Sequence, residues 1–390
     1  MNRMHADAGR KAVLSPHRGC KAGKIRERQT SMGKQTSTKE NILSVLEEKK
    51  GQTISGEELA ARLCVSRSAV WKAMRELREA GYPIEASTRT GYCLRKSSDI
   101  LSRAGILAAL GTDAEAVGKE LFYYDKLPST NRLAKQLAVV EGLRKAIVVA
   151  DSQQEGRGRY SHVFFSPAGT GLYLSFLLEA QTLPFHTPSF LTIYAAVVVC
   201  ETIEALTGLS PAIKWVNDLY LGGKKICGIL TEASADVETG QLQWVVCGIG
   251  VNVREPAGGF PENLPRAGAL YGSGGRQVSG MKEKTECAAA PQPVSRNQLI
   301  AEIIRRFQKG LCPEGRQAAK PRSQAEILQA YRNRSFVLGR EIEVLDLSER
   351  LVCRATALDL DEEGHLIVRK ANGTKETLST GEVHVRPEMG

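Results

Sequence analysis

The sequence predicts an α+β multidomain fold, in which an N-terminal winged helix-turn-helix precedes a layered α/β domain. Three observations carry this. Two short, capped helices at helix-turn-helix spacing are followed by two brief strands around a glycine turn. Downstream, strand candidates that are apolar on both faces are interleaved with helices, as in a central sheet covered by helices. The chain has 390 residues, more than one ordinary domain holds, so two or three domains are expected.

Composition narrows the function classes. Apolar residues make up 42% and charged residues 25%, the balance of a soluble globular protein. No apolar run approaches the ~20 residues of a membrane span. Phe190 to Cys200 is the best candidate, and it merges into Glu201 and Glu204, so it reads as a buried helix. The first thirty residues lack an apolar core and a cleavage site, so no signal peptide is expected. Nine cysteines without a C-x-x-C pair fit reduced thiols in a cytoplasmic protein, with neither a disulfide frame nor a zinc site. The net charge of +10 implies an anionic partner without naming one.

In the first forty residues ten Lys/Arg face only Asp7, Glu27 and Glu40. Hydrophobic periodicity is nearly absent there, so residues 1–38 are expected to form a disordered basic extension. Residues 39–98 form the winged helix-turn-helix. Ile42, Leu43, Val45 and Leu46 mark a first amphipathic helix. Ser55-Gly-Glu-Glu58 reads as a capping box opening a second, which carries Leu59, Ala60 and Leu63 inward. Cys64-Val65 turns the chain at a position where glycine is common, and Ser66 caps a third helix from Arg67 to about Ala80. Ala69, Val70, Ala73, Met74 and Leu77 supply its buried face. Tyr82 to Leu94 then reads as two strands around a turn containing Gly91, which is the wing.

The exposed side of the third helix presents Ser66, Arg67, Ser68, Trp71, Lys72 and Arg75. Such a set reaches phosphates and base edges when the N-terminal half of the helix enters a major groove. Arg89 at the wing tip adds a minor-groove or backbone contact. The bland alternative is a protein-binding module whose charges are merely solvated. A repressor built on one such module per chain would be a homodimer on a two-fold operator.

Residues 99–334 hold the second domain. Strands are expected at Lys145–Asp151, Gly171–Leu178, Lys225–Glu232 and Leu242–Val253, and helices at Asn131–Val140, Ser189–Thr207 and Gln298–Phe307. Residues 276–294 read as a disordered insertion.

Four polar clusters interrupt this core at strand ends or in loops. They are Ser129-Thr130-Asn131; the loop Gln153 to Arg159 with Arg157, Gly158 and Arg159; Lys214-Trp-Val-Asn217-Asp218 with Lys224-Lys225 behind; and Gly248-Ile-Gly-Val-Asn252. Each is weak alone. Ser-Thr-Asn before a helix is most often a cap. The Gly-x-Gly lacks the third glycine of a dinucleotide fold, and Gly156-Arg-Gly-Arg is no Walker loop. Together, the glycines allow close backbone approach, while arginines and lysines from separate segments make a site for polyphosphate or carboxylate. Asp218 and Asn217 are oxygen ligands of the kind Mg²⁺ takes beside substrate phosphate.

In this order the motifs Ser-Thr-Asn, Gln-Gln-x-Gly-Arg-Gly-Arg, Lys-Trp-x-Asn-Asp, Lys-Lys-Ile-x-Gly-Ile-Leu-x-Glu and Gly-Ile-Gly-Val-Asn make residues 39–390 resemble the biotin–protein ligase family. The winged helix resembles that of its bifunctional ligase and repressor branch. The resemblance implies a class II aminoacyl-tRNA synthetase-like catalytic domain and, over residues 335–390, a C-terminal SH3-like β-barrel. Val337–Arg340, Ile342–Leu345, Cys353–Ala357 and Leu366–Val368 are expected as its short strands.

The implied chemistry uses ATP and biotin as substrates with Mg²⁺. Biotin's carboxylate attacks the α-phosphorus, and the biotinoyl-AMP then acylates a lysine of a carboxylase carrier domain. Two unit anions brought to ~4 Å at an effective dielectric of 20 repel by about 4 kcal/mol. That repulsion is the reason for a group of cations, and Arg157, Arg159, Lys225 and Lys214 are the catalytic set. By the resemblance, Ser129, Thr130, Asn131 and Gln153 contact biotin's ureido end. Arg157 to Arg159 close over the acyl phosphate and Lys225 touches both. Asn217, Asp218 and Asn252 serve the nucleotide, with Asp218 also the metal ligand.

Three departures from the family pattern bear on the loop and on repression more than on ligation. Val216 stands for the usual proline, Phe164 for tryptophan, and Ser161-His162 for Gly-Arg. Two alternatives share these residues: a biotin-sensing repressor with little ligase activity, and a ligase with a non-functional winged helix. Operator DNA and the carrier are the expected partners, with no membrane.

Overall fold

The computed structural model describes residues 37–87, 90–185, 187–236, 238–272, 293–311, 322–346, 350–379 and 381–385. The expected basic extension before residue 37, Arg89, and the expected insertion up to residue 292 lie outside the described residues.

The N-terminal unit comprises α1 (Thr38–Glu48), α2 (Gly56–Leu63), α3 (Arg67–Glu79), β1 (Ile84–Ser87) and β2 (Gly91–Leu94). Ser37 and Glu40 form a complete capping box on α1. The box expected at Ser55 is only half made. Ser55 accepts the Glu58 N–H at 3.0 Å, but the Glu58 carboxylate turns to Lys49, 2.5 Å away, where it meets a full charge. Cys64 closes α2 in the left-handed region at φ +52°, which explains why glycine is common at this turn. Leu59, Val70, Ala73, Met74 and Leu77 are buried in one small core, while Ala69 is only partly covered. Gly91 turns the wing at φ +97°, and a Cβ there would lie 2.2 Å from the Ile54 carbonyl oxygen.

The stretch after the wing folds into the main core. It forms α4 (Arg103–Leu110) and α5 (Ala114–Gly118), with Ile106, Leu110 and Val117 in the main core. Helix α1 packs against α4. Then follow β3 (Leu121–Leu127), α6 (Thr130–Val140), β4 (Ala146–Gln153), β5 (Gly171–Glu179), α7 (Pro188–Thr207), β6 (Ala212–Lys214), β7 (Asp218–Leu221), β8 (Lys224–Ala235), β9 (Leu242–Asn252), α8 (Arg296–Leu311) and α9 (Gln324–Arg332). Every strand and helix expected here is found, most with longer ends, although β4 starts at Ala146 and β9 stops at Asn252. The sheet order is β3-β4-β5-β9-β8-β7-β6. Only β3 and β4 pair parallel; the other neighbours are antiparallel.

Alternation along β4 sorts the two layers. Ile147 and Val149 face the main core with α7 and α8, whereas Ala146, Val148 and Ala150 face a second core under α6. Among the described residues, α7 is the one helix long and apolar enough to cross a membrane. Its residues from Phe190 to Cys200 are buried, as a core helix requires.

The C-terminal unit is a five-stranded antiparallel sheet of β10 (Glu341–Leu345), β11 (Leu351–Leu360), β12 (Leu366–Lys370), β13 (Lys375–Leu378) and β14 (Glu382–Val385), ordered β13-β12-β11-β10-β14. Val337–Arg340 is a turn and not the expected strand. Gly339 sits at φ +80° with its N–H on Ala357, and Arg340 N–H closes back on Val337.

Candidate functional site

A cavity of about 400 Å³ opens over the face of the central sheet that carries α6. Its floor follows from the period of a strand. Successive side chains point to opposite faces, so Gly248 and Gly250 clear one face while Ile249 and Val251 fill the core below. A Cβ on Gly248 would meet Asn131 Oδ1 at 2.1 Å, and one on Gly250 would meet the Phe164 ring at 2.6 Å. Gly228 on β8 pairs in register with Gly250 and extends this floor. Beneath it, burial pushes the Cys247 thiol up to about 12 and the Cys227 thiol up as well. Both remain protonated core groups.

One wall is a satisfied polar network at the start of α6. Ser129 caps the helix, accepting from Arg132 N at 3.4 Å. Thr130 N and Oγ1 both donate to Gln153 Oε1, at 2.9 and 3.1 Å, and Gln153 Nε2 donates to Ser166 at 3.0 Å. Asn131 Nδ2 donates to Leu230 O at 3.2 Å and to Glu232 at 2.8 Å, while its Oδ1 lies 2.6 Å from the Ser175 hydroxyl. These buried amides and hydroxyls are held rigidly by partners, as a hydrogen-bonding recognition surface must be.

The opposite side is cationic. Hairpin β6–β7, turning through Trp215-Val216-Asn217, delivers Lys214, buried at 7% exposure, together with Asp218. Lys225 is the second residue of β8, its Nζ 2.7 Å from Asp218 Oδ1. That Asp218 oxygen has no aligned hydrogen bond, so the contact is an ion pair held by charge. Asn217 Nδ2 donates to Ile229 O at 2.9 Å. The Gly-Arg loop covers the cavity as a small hairpin, with Phe164 N–H on Gly156 O at 2.9 Å and Gly158 N–H on His162 O at 2.7 Å. Arg157, Gly158 and Arg159 all line the cavity.

Ser129, Thr130, Asn131, Gln153, Arg157, Gly158, Arg159, Lys214, Asn217, Asp218 and Lys225 thus meet around one space. Asn252 is not among the lining residues. Its Nδ2 donates to Gly268 O at 2.9 Å, and its carbonyl accepts from Leu270 N, so it ties β9 to the segment that follows. Arg157, Arg159, Lys214 and Lys225 line the same cavity as one carboxylate, Asp218. No cluster of three His, Cys, Asp or Glu occurs among the described residues.

Sequence reasoning missed Tyr160, Asn263, Leu264 and Gly381, which also line the cavity. Asn263, Leu264 and Gly381 come from distant loops without a chemical signature. The alternation of Gly248 and Gly250 was a usable signal for the floor, as was Phe164 lying over it.

On the winged unit, α3 presents an exposed face. Trp71 is 59% exposed, with the Arg75 guanidinium 5.2 Å from its ring centroid. Arg67 pairs with Glu57 at 2.8 Å, and Ser66 caps Ala69 N at 3.2 Å while meeting the Ser68 hydroxyl at 2.9 Å. Ser68 and Lys72 are exposed beside them.

The fold and this site belong to a recognisable class. The Biotin/lipoate A/B protein ligase family matches residues 123–252, an HTH domain matches residues 38–93, and the Biotin protein ligase C terminal domain matches residues 337–386. The Bifunctional ligase/repressor BirA of Bacillus spizizenii is 32% identical over 344 residues, which cover 88% of this chain and 98% of that protein. The chain belongs to the biotin–protein ligase family. The Bifunctional ligase/repressor BirA of Escherichia coli is 32% identical over 204 residues, 52% of this chain and 60% of that protein. The solved biotin protein ligase from Aquifex aeolicus in complex with biotin and ATP aligns with a TM-score of 0.53 at 25% identity, covering 69% of this chain and all of that one.

Proposed function

We propose that this protein activates biotin with ATP to biotinoyl-5′-AMP, transfers biotin to a carrier lysine, and represses transcription through its winged helix. The observation that carries the ligase reading is the convergence of Arg157, Arg159, Lys214 and Lys225 on one cavity with a glycine floor. In the first step a carboxylate oxygen bonds to the α-phosphorus as the bond to pyrophosphate breaks. The cations offset the repulsion between the two anions and stabilise charge on the leaving group. In the second, the carrier amine forms the amide, AMP leaves and a proton is released.

Ser129, Thr130, Asn131 and Gln153 hold the ureido end of biotin, and Arg157 to Arg159 lie over the acyl phosphate. Asn217 and Asp218 serve the nucleotide, and Asn252 acts at one remove by fixing the segment after β9. Magnesium would be held mainly by the nucleotide's phosphates, where it would offset their charge. One lining carboxylate already paired with Lys225 does not make a resident magnesium cage, so Asp218 supplies at most a single oxygen. The C-terminal sheet corresponds to the SH3-like domain of the family and the central domain to its synthetase-like fold.

The test is biotin-dependent exchange of labelled pyrophosphate into ATP by the purified chain, with lipoate and octanoate as controls. Exchange with biotin alone supports the ligase. Tight biotin binding without exchange would make the protein a sensor instead.

The exposed Trp71, Arg75, Arg67 and Lys72 face supports the repressor reading, with a homodimer on a two-fold operator. Replacing Arg67 and Lys72 by alanine is expected to weaken operator binding more than tenfold and to flatten its salt dependence, while biotinylation persists. Electrophoretic mobility shifts at two salt concentrations check this. Equal loss of both activities would point to a folding defect.

A further inference from the structure

The tip of the Gly-Arg loop is bonded to the C-terminal unit through a residue that the ligase reading does not use. Tyr160 stands at φ +52° and ψ +35°, a left-handed conformation that bulky residues rarely adopt. Its hydroxyl accepts from Arg159 Nη2 at 2.8 Å and from the Gly381 N–H at 3.2 Å. Arg159 Nη1 donates in turn to Gly381 O at 3.4 Å, and its guanidinium carbon lies 4.8 Å from the Tyr160 ring centroid. Gly381 enters β14 and lines the cavity. One hydroxyl therefore joins a cation of the site, the loop that covers it, and the C-terminal sheet.

We infer that Tyr160 is a positioning residue, which fastens the Gly-Arg loop to the C-terminal unit and holds Arg159 against the acyl phosphate. The inference rests on the ligase reading for its consequence, and on the loop geometry for its existence. Three features agree. The left-handed backbone turns the ring towards Arg159 and the C-terminal sheet, a cost that only compensating contacts sustain. Both hydrogen bonds to the hydroxyl arrive from donors, one of them charged, which suits a phenolic oxygen. The hairpin bonds Gly158–His162 and Gly156–Phe164 shape the loop itself, and Tyr160 and Arg159 tie it to the C-terminal unit at Gly381. The fastening covers the reactive anhydride between the two steps, when water must be kept out. It also makes retention of the intermediate depend on the C-terminal unit, more than 200 residues away in sequence.

Tyr160→Phe keeps the ring and its contact with the guanidinium and removes only the hydroxyl. Two measurements on the full chain separate the tie from the chemistry. Amide hydrogen exchange without ligand should show residues 156–163 exchanging about tenfold faster in the variant, with the global melting temperature unmoved. Release of biotinoyl-AMP formed in a single turnover should accelerate about tenfold, while kcat for pyrophosphate exchange at saturating biotin falls less than threefold. Unchanged loop exchange in Tyr160→Phe overturns the tie. Faster loop exchange with unchanged release of the intermediate overturns its role in retention. A wild-type chain that forms no adenylate would count against the ligase reading alone, since the loop exchange still judges the tie.

Discussion

Lys225→Ala is expected to lower biotin-dependent pyrophosphate exchange by about a hundred- to a thousandfold at saturating substrates, the usual effect of removing one pre-positioned group that stabilises transition-state charge. The lysine is held at both its backbone and its ammonium. Its N–H donates to Arg266 O at 2.7 Å, its carbonyl accepts from Gly268 N at 2.9 Å, and its ammonium lies 2.7 Å from Asp218. Little reorganisation is needed when the two anions meet. The substitution also leaves the Asp218 carboxylate, only 14% exposed, without its cation beside a carboxylate and a triphosphate. Loss of attraction and gain of repulsion act in the same direction, so the effect exceeds that of neutralising a cation with no acidic neighbour. Lys225→Ala combined with Asp218→Asn should recover part of the loss, because the repulsive half is then removed. Lys225→Arg should retain measurable exchange, since the charge remains. Turnover of Lys225→Ala within a few-fold of wild type would sink the assignment.

What the sequence made legible was what depends on near neighbours. The apolar spacing of Val70, Ala73, Met74 and Leu77 is the buried stripe of α3 itself, because helix geometry alone puts those residues on one side. Ser129-Thr-Asn, Gly156 to Arg159 and Gly248 to Gly250 each carry their local shape in their own residues. Contacts closed by the far chain were not legible. Hairpin β6–β7 was read as a polar cluster, because three- and four-residue strands are too short to show alternation. Glu58 was assigned to its cap, but Lys49 outbids the backbone, and nothing in Ser-Gly-Glu-Glu encodes where Lys49 lies. Val337–Arg340 had a strand's composition, yet Gly339 turns the chain there. Gly381 and Asn263 reach the cavity only through the packing of whole units.

Asp99→Ala should destabilise the protein by about 3 kcal/mol, the cost of removing one partner from a largely buried charge network. Asp99 lies in the segment joining the winged unit to the central domain. Its Oδ1 accepts the Arg296 backbone N–H at 2.6 Å, satisfying a donor at the start of α8. Its Oδ2 accepts from Arg254 Nε at 2.8 Å, two residues beyond Asn252. Arg296, 3% exposed, also reaches Asp151 at 2.5 Å and Gly171 O at 3.1 Å. One carboxylate therefore links the connector, the exit of β9, the start of α8 and, through Arg296, the end of β4 that leads into the Gly-Arg loop. Alanine would leave the buried guanidinium with Asp151 as its remaining carboxylate, beside the carbonyls of Gly171 and of residue 99, and would break the ion pair to Arg254. Asp99→Asn keeps one acceptor oxygen and should cost less than half as much. Urea unfolding followed by tryptophan fluorescence measures both, and a loss under 1 kcal/mol for alanine would show that water replaces the carboxylate. The same variant tests communication between the units. Because Arg254 and Asp151 flank two cavity segments, biotin affinity should fall further than the loss of global stability alone requires. If the winged unit senses the cavity through this junction, operator affinity in Asp99→Ala should respond less to biotin and ATP than in wild type. If operator binding responds fully despite the broken node, the signal runs through the packing of α1 on α4 instead.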